Sequence, residues 1–382
     1  MYDFIVVGAG PAGSQCAFKL GSMGYRVLQL EEHRSVGKPV ECTGVISRRV
    51  LSMAKTDSIV NRVHGAHIYF PSGKSIHVSK NEETIIIDRE RFDQDVSAAA
   101  IEKGVELKVN SLFMDAQVHD DNITVRFRKD GNIIEEKALA LVGADGAGSS
   151  VRRVLYPNQK VKRMVSSYQV EATVKMKDQD SVDVYLGSAY SRGFFGWAAP
   201  AGDLSRIGTA GFGMSRELFL NIFRKFLDPS KLSINGGLIP IHALDRTYGE
   251  RSVLVGDAGG IVKPLTGGGI YTGMLSGEIA AEALHMAYGK ENFSSGTMAV
   301  YQRMWKKAIG KELSRDLKIQ KLFAKITDTS LNEMERTISV PTILNKINNA
   351  GDIDFPSKVV LGILIKKPSL IKHILFPVKE PS

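Results

Sequence analysis

The sequence predicts an α/β chain in which a doubly wound parallel sheet is interleaved with an antiparallel-sheet domain and followed by a helical C-terminal region. Three observations predict it. The run Phe4-Ile5-Val6-Val7, the pattern Gly8-Ala9-Gly10-Pro11-Ala12-Gly13, a helical stretch through Leu20 and a second apolar run ending at Glu31 describe a strand–helix–strand unit. Two later apolar strands, 141–143 and 252–255, each run into a glycine turn bearing a carboxylate, Asp145-Gly146 and Gly256-Asp257. Between them, residues 168–176 and 181–186 alternate apolar and polar as half-buried antiparallel strands do.

Each element has a physical reason. Gly8 permits the tight turn, Gly10 lets the backbone approach a pyrophosphate, and Gly13 lets the helix pack on the strand, with Ala12 in the same turn. The helix N-terminus offers free N–H groups to phosphate. Glu31 lies at about the ~20-residue spacing of an acid that holds a ribose hydroxyl. The unit is therefore a Rossmann-type dinucleotide site. Asp145 and Asp257 each stand at the C-terminal edge of a strand, where open α/β sheets bind ligands. Further on, Gly267-Gly268-Gly269-Ile270 opens an Ala-rich helix, leaving unobstructed N–H groups that suit an anionic ring.

The glycine turn, Asp145-Gly146 and Gly256-Asp257 together resemble the fingerprints of p-hydroxybenzoate hydroxylase-like flavoproteins. That resemblance implies FAD rather than NAD, with Asp257 on the ribityl chain. The segment Asp88-Arg89-Glu90-Arg91-Phe92-Asp93 is similar to the Arg-x-x-Leu-Asp stretch of those proteins and makes Arg89 an expected FAD contact; a solvated helix start is the alternative. No second GxGxxG unit is present, so a dedicated NAD(P) domain is not expected.

Two more motifs, Glu41-Cys42-Thr43-Gly44 and Phe194-Phe195-Gly196-Trp197-Ala198-Ala199-Pro200, resemble landmarks of the geranylgeranyl reductase family, as does the 265–269 loop. The resemblance implies an FAD-dependent reductase that saturates isolated C=C bonds of a polyprenyl chain, most readily on archaeal-type ether phospholipid precursors. It places Cys42 and Gly44 near the flavin, with Cys42 as proton donor or redox relay, and Phe195, Trp197 and Pro200 along the isoprenoid tunnel. Tyr185 is a further expected substrate contact. A mere spacer role for Cys42 stays open, and Tyr185, Tyr190 and His242 are other possible acids. Ala198-Ala199 departs from the family, which carries a bulky aromatic between Trp and Pro. The competing readings are a flavin-dependent monooxygenase or halogenase and a flavin-carrying sensor. Electrons would come from NAD(P)H, ferredoxin or reduced F420, the last two implying an electron-donor partner.

Composition agrees. With 382 residues, 43% of them hydrophobic, the chain can bury a large core. The expected division is a discontinuous FAD domain at 1–62, 84–160 and 245–300, a substrate domain at 63–83 and 161–244, and a helical region at 301–382. Two cysteines indicate no disulfide framework, and Cys16 reads as a buried helix residue. A cytoplasmic protein, peripheral at the inner face of the cell membrane, is expected, with no metal. The net charge of +9 gathers late in the chain. Residues 301–325 are basic with Trp305, Ile309, Leu313, Ile319 and Phe323 at helical spacing, fitting core packing with a solvated basic face. The apolar, Lys-rich tail from Phe355 fits either a membrane surface or a packed cap. No zinc-finger, helix-turn-helix or RNA-binding signature points to nucleic acid.

Overall fold

A computed structural model describes residues 1–223, 233–350, 352–358 and 360. Its described strands form two eight-stranded sheets. In the first, Tyr2–Val7 lies between Val27–Leu30 and Asn132–Gly143, all parallel, with Ser252–Leu254 beyond one side and Glu106–Lys108 beyond the other. The buried stretches of the central strands, residues 4–7, Val27–Leu30 and residues 138–143, are largely apolar because helices cover them, as a buried parallel sheet requires. The helices Pro11–Ser22, Arg89–Glu102 and Ile270–Gly289 do part of the covering. Phe4, Val6, Val142 and Val253 pack with Cys16, Leu20 and Leu284 into one core. The Cys16 side chain is fully buried there, which pushes its thiol up to about 12.

The second sheet runs in the order Ile234–Pro240, Met164–Ala172, Leu204–Gly211, Gly196–Ala201, Ser181–Tyr185, Ile59–Tyr69, Ser75–Ile87 and Val45–Ile46. All its pairings are antiparallel except that of Ser181–Tyr185 with Ile59–Tyr69. The long hairpin Ile59–Tyr69/Ser75–Ile87 runs across the expected boundaries at 62 and 84, because its strands stay paired to Ile87 and then capture Val45–Ile46. The strand expected at 168–176 is Met164–Ala172, displaced by its pairing with Ile234–Pro240.

Residues 295–323 form one helical rod, Ser295–Trp305, a π turn Lys306–Gly310 and Lys311–Phe323. Trp305, Ile309 and Leu313 sit in the main core, as the helical spacing requires, and Ile319 and Phe323 are half-buried. Trp305 Nε1 donates to Thr247 Oγ1 at 2.9 Å, so its polar atom is satisfied. Most of the basic tail lies outside the described residues.

Candidate active site

The C-terminal ends of the parallel strands face the second sheet across a cavity of about 1250 Å³. That exceeds the ~300–1,000 Å³ usual for one drug-sized ligand and leaves room for a dinucleotide plus a second occupant. One end is built by the first glycine turn. Gly8 has φ +104°, and a Cβ on it would sit 2.4 Å from the Ala144 carbonyl oxygen. A Cβ on Gly13 would sit 2.1 Å from the Gly8 carbonyl oxygen, so both positions are closed by backbone. Gly10 is the opposite case, with no atom within 4 Å of where its Cβ would be. It borders the cavity at the N-cap of the first helix, as a backbone awaiting a pyrophosphate should.

Glu31 is buried at the end of its strand. Its Oε2 accepts the Ala9 N–H at 2.9 Å, and its Oε1 accepts the His33 backbone N–H at 3.0 Å. His33 Nδ1 also lies 2.7 Å from Oε1, so the carboxylate is fixed at the cavity wall with its remaining free lone pair on Oε2. Asp145 is spent differently: its oxygens accept Ser149 Oγ at 2.6 Å and the Ser150 and Val151 N–H groups at 2.6 and 2.9 Å. It shapes the turn into the helix Ser150–Leu155, with Gly146 beside it on the wall.

Asp257 lies under the second glycine turn, where a Cβ on Gly269 would approach its Oδ1 to 3.0 Å. Burial pushes its carboxyl up to about 6; Arg89 pulls the other way and Glu41 adds to the rise. Ala12, Gly267, Gly268 and Ile270 complete this wall. Arg89 holds Asp93 through two hydrogen bonds of 3.1 and 2.9 Å, and its guanidinium also contacts the Cys42 thiol. It is therefore no solvated helix start: burial removes that alternative.

Cys42 borders the same cavity, its Sγ accepting the Gly44 N–H at 3.4 Å. Two partners absent from the sequence motifs, Gln169 and Arg206, hold its loop. Gln169 Oε1 accepts Thr43 Oγ1 at 2.7 Å and Trp197 Nε1 at 3.2 Å, tying the loop to the tunnel tryptophan. Arg206 donates to the carbonyls of Thr43 and Ile87 at 2.8 and 2.6 Å, and pairs with Glu171 at 2.8 Å. Glu41, next in sequence, borders the cavity too, and burial raises its carboxyl. The far wall is apolar: Phe195, Trp197, Leu238 and Ile239, with Val182 and Val184 and the small Ala198 and Ala199 between them.

Not every expected residue reaches the cavity. Gly13 and Gly44 lie behind its wall and position their loops. Tyr185 stacks on Tyr69 with ring centroids 4.9 Å apart, on the outer face of the sheet. Strand alternation explains this, since Val182 and Val184 line the cavity while the Tyr185 ring lies on the opposite face, its hydroxyl donating to Asp183 Oδ2 at 3.0 Å. Pro200 is buried one residue beyond the wall, its carbonyl accepting Asn61 Nδ2 at 3.2 Å. Tyr190 and His242 are likewise away from the wall.

Over residues 1–213 the sequence matches the family described as FAD binding domain. An uncharacterized protein of Methanocaldococcus jannaschii is 30% identical, with 95% of each chain covered. Digeranylgeranylglycerophospholipid reductase 2 of Methanopyrus kandleri is 28% identical, covering 97% of this chain and 98% of its own. Among solved structures, a geranylgeranyl bacteriochlorophyll reductase-like protein of Thermoplasma acidophilum shares the fold with a TM-score of 0.83 at 24% identity, covering 98% of both chains. The open cradle over Gly10, the fixed Glu31 and the buried Asp257 accommodate the cofactor of that family, and the chain belongs to the FAD-binding domain flavoproteins, on their geranylgeranyl reductase-like branch.

Proposed function

We propose that this oxidoreductase saturates isolated C=C bonds of geranylgeranyl chains on archaeal-type ether phospholipid precursors. The observation that supports it most is the continuity of one cavity from the nucleotide turn, past Cys42, to a wall of Phe195, Trp197, Leu238 and Ile239. An isolated alkene has no carbonyl to accept charge, so its reduction needs a hydride at one carbon and a proton at the other. Bound FAD in its reduced form supplies the hydride. The chain's residues do the rest. The aromatic and aliphatic wall holds the polyprenyl segment and excludes water. Cys42 presents a thiol proton at the cavity edge, kept in place by the Gly44 N–H and by Arg89. Gln169 couples that loop to Trp197, so the proton donor and the substrate wall keep one spacing.

Incubation of anaerobic, dithionite-reduced holoenzyme with a digeranylgeranyl ether phospholipid should add one H2 per double bond by mass spectrometry. Cys42→Ala should retain FAD and its reduction by dithionite while slowing saturation ~100-fold or more, the range of a lost general acid. Saturation at the wild-type rate would reduce Cys42 to a spacer. An oxygen-dependent gain of oxygen in the lipid, with no saturation, would sink the reductase reading and favour a monooxygenase.

Such a substrate is drawn from a membrane surface. No helix among the described residues is long and apolar enough to cross one. Lys366, Lys367, Lys372 and Lys379 flank the apolar positions of the tail, each lysine giving about 1 kcal/mol of attraction to an anionic surface. The holoenzyme should float with anionic liposomes at low salt, and deletion of 361–382 should largely abolish flotation while FAD stays bound. Equal flotation of the truncated protein would remove the tail from membrane docking.

A further inference from the structure

The outer face of the second sheet, turned away from the cavity, carries a cluster that the reductase chemistry does not use. His67 and His77 are directly paired across the hairpin, their ring centroids 4.5 Å apart. Asp178 stands in the connection leading to Ser181–Tyr185, and its Oδ2 lies 2.8 Å from His67 Nε2. One donor atom from each of the three lies within 4.8 Å of the other two. A tetrahedral site with ligands at ~2.0–2.1 Å needs separations of roughly 3.3 Å, so side-chain adjustment alone brings the three together.

The backbone around the cluster is shaped to hold it. Gly65 pairs with Ser181, and a Cβ there would lie 2.5 Å from His77 Nε2 and 2.7 Å from Ser181 Oγ. Glycine is what lets that imidazole and hydroxyl stand side by side, 3.1 Å apart. Asp178 is oriented through its other oxygen, which accepts the Asp180 N–H at 2.9 Å. An oriented carboxylate and a supported imidazole are the outer contacts that tune a ligand set. All three residues are half-buried or exposed, so an ion has access.

We propose that His67, His77 and Asp178 form a binding site for a divalent first-row transition metal ion, with water completing the coordination. Two imidazoles and one carboxylate suit zinc, nickel or copper over magnesium or calcium, which prefer oxygen donors. The ion would clasp the hairpin Ile59–Tyr69/Ser75–Ile87 to the connection before Ser181–Tyr185. The inner side of that strand supplies Val182 and Val184 to the substrate wall, so the clasp would stiffen the tunnel from behind.

The test uses FAD-loaded protein freed of metal with a chelator and titrated with Zn2+ by calorimetry. The expected result is one ion per chain, with the thermal midpoint raised by about 3 °C at a hundredfold excess over Kd. Binding should weaken at least tenfold in Asp178→Asn and be lost in His77→Ala, while His285→Ala, elsewhere on the surface, behaves as wild type. Retained flavin reports that each variant is folded. Zinc-edge X-ray absorption of the wild type, which needs no variant, should show scattering from two imidazoles. Absence of stoichiometric binding, His77→Ala binding as tightly as wild type, or a spectrum without two imidazoles would each overturn the site.

Discussion

Gly13→Ala is expected to yield protein that lacks flavin. The added methyl would meet the Gly8 carbonyl oxygen at 2.1 Å and the Ala144 Cβ at 3.0 Å. The first of these is backbone, in the turn that Gln29 Nε2 also fixes by donating to Gly8 O at 3.0 Å. No side chain can swing aside, so the cost exceeds the ~1–3 kcal/mol of ordinary overpacking, and the first helix must back away from its strand. Gly10→Ala separates two effects. Its methyl meets no protein atom, so the apoprotein should melt as wild type does, yet the methyl occupies the space a pyrophosphate needs. Flavin-to-protein absorbance ratios and thermal midpoints of the two variants check both statements. A wild-type flavin content in Gly13→Ala would mean that the helix does not have to sit where the structure puts it.

These glycines were legible because the motif is local: thirty residues of sequence carry the strand, the turn, the helix and the acid. The same holds for Gly256-Asp257 and the glycine turn after it. Gln169 and Arg206 were not legible. Each is an ordinary polar residue on an alternating strand, and its task exists only once Met164–Ala172 and Leu204–Gly211 fold beneath a loop more than 120 residues earlier in the chain. Tyr185 is a different case, because a signal was available. The sequence Val182-Asp183-Val184-Tyr185 has its apolar members at even positions, and a sheet that roofs an apolar pocket turns those inward. Tyr185 is the polar-tipped aromatic of that strand, but the phase of the strand turns it the other way. The register of the domain boundary escaped for a similar reason: nothing local says that a hairpin stays paired for thirteen residues rather than six.

The second large effect follows from a contact equally invisible in sequence. Asp354→Ala is expected to destabilise the holoenzyme by about 3 kcal/mol, the scale of breaking a buried ion pair. Lys263 and Asp354 are both almost fully buried, with Nζ donating to Asp354 Oδ1 at 3.1 Å and to the Ile353 carbonyl at 2.8 Å. Removing the carboxylate leaves the almost fully buried ammonium with the Ile353 carbonyl as its one remaining hydrogen-bond acceptor among the described residues. Arg49 loses less, since it keeps Asp352 at 2.9 Å. For a chain of this length the loss corresponds to a thermal midpoint lower by about 4 °C. The effect should reach the cofactor as well. Lys263 begins the second glycine turn, accepting the Gly267 N–H at 2.8 Å, and that turn lies over Asp257. FAD should therefore dissociate faster from the variant. Replacing both partners, Lys263→Met with Asp354→Leu, removes the stranded charge and should recover most of the lost stability, because an apolar pair of similar volume needs no compensation. A single Asp354→Ala variant that melts and retains FAD as wild type does, or a double variant no better than the single one, would show that the pair does not hold the turn in place.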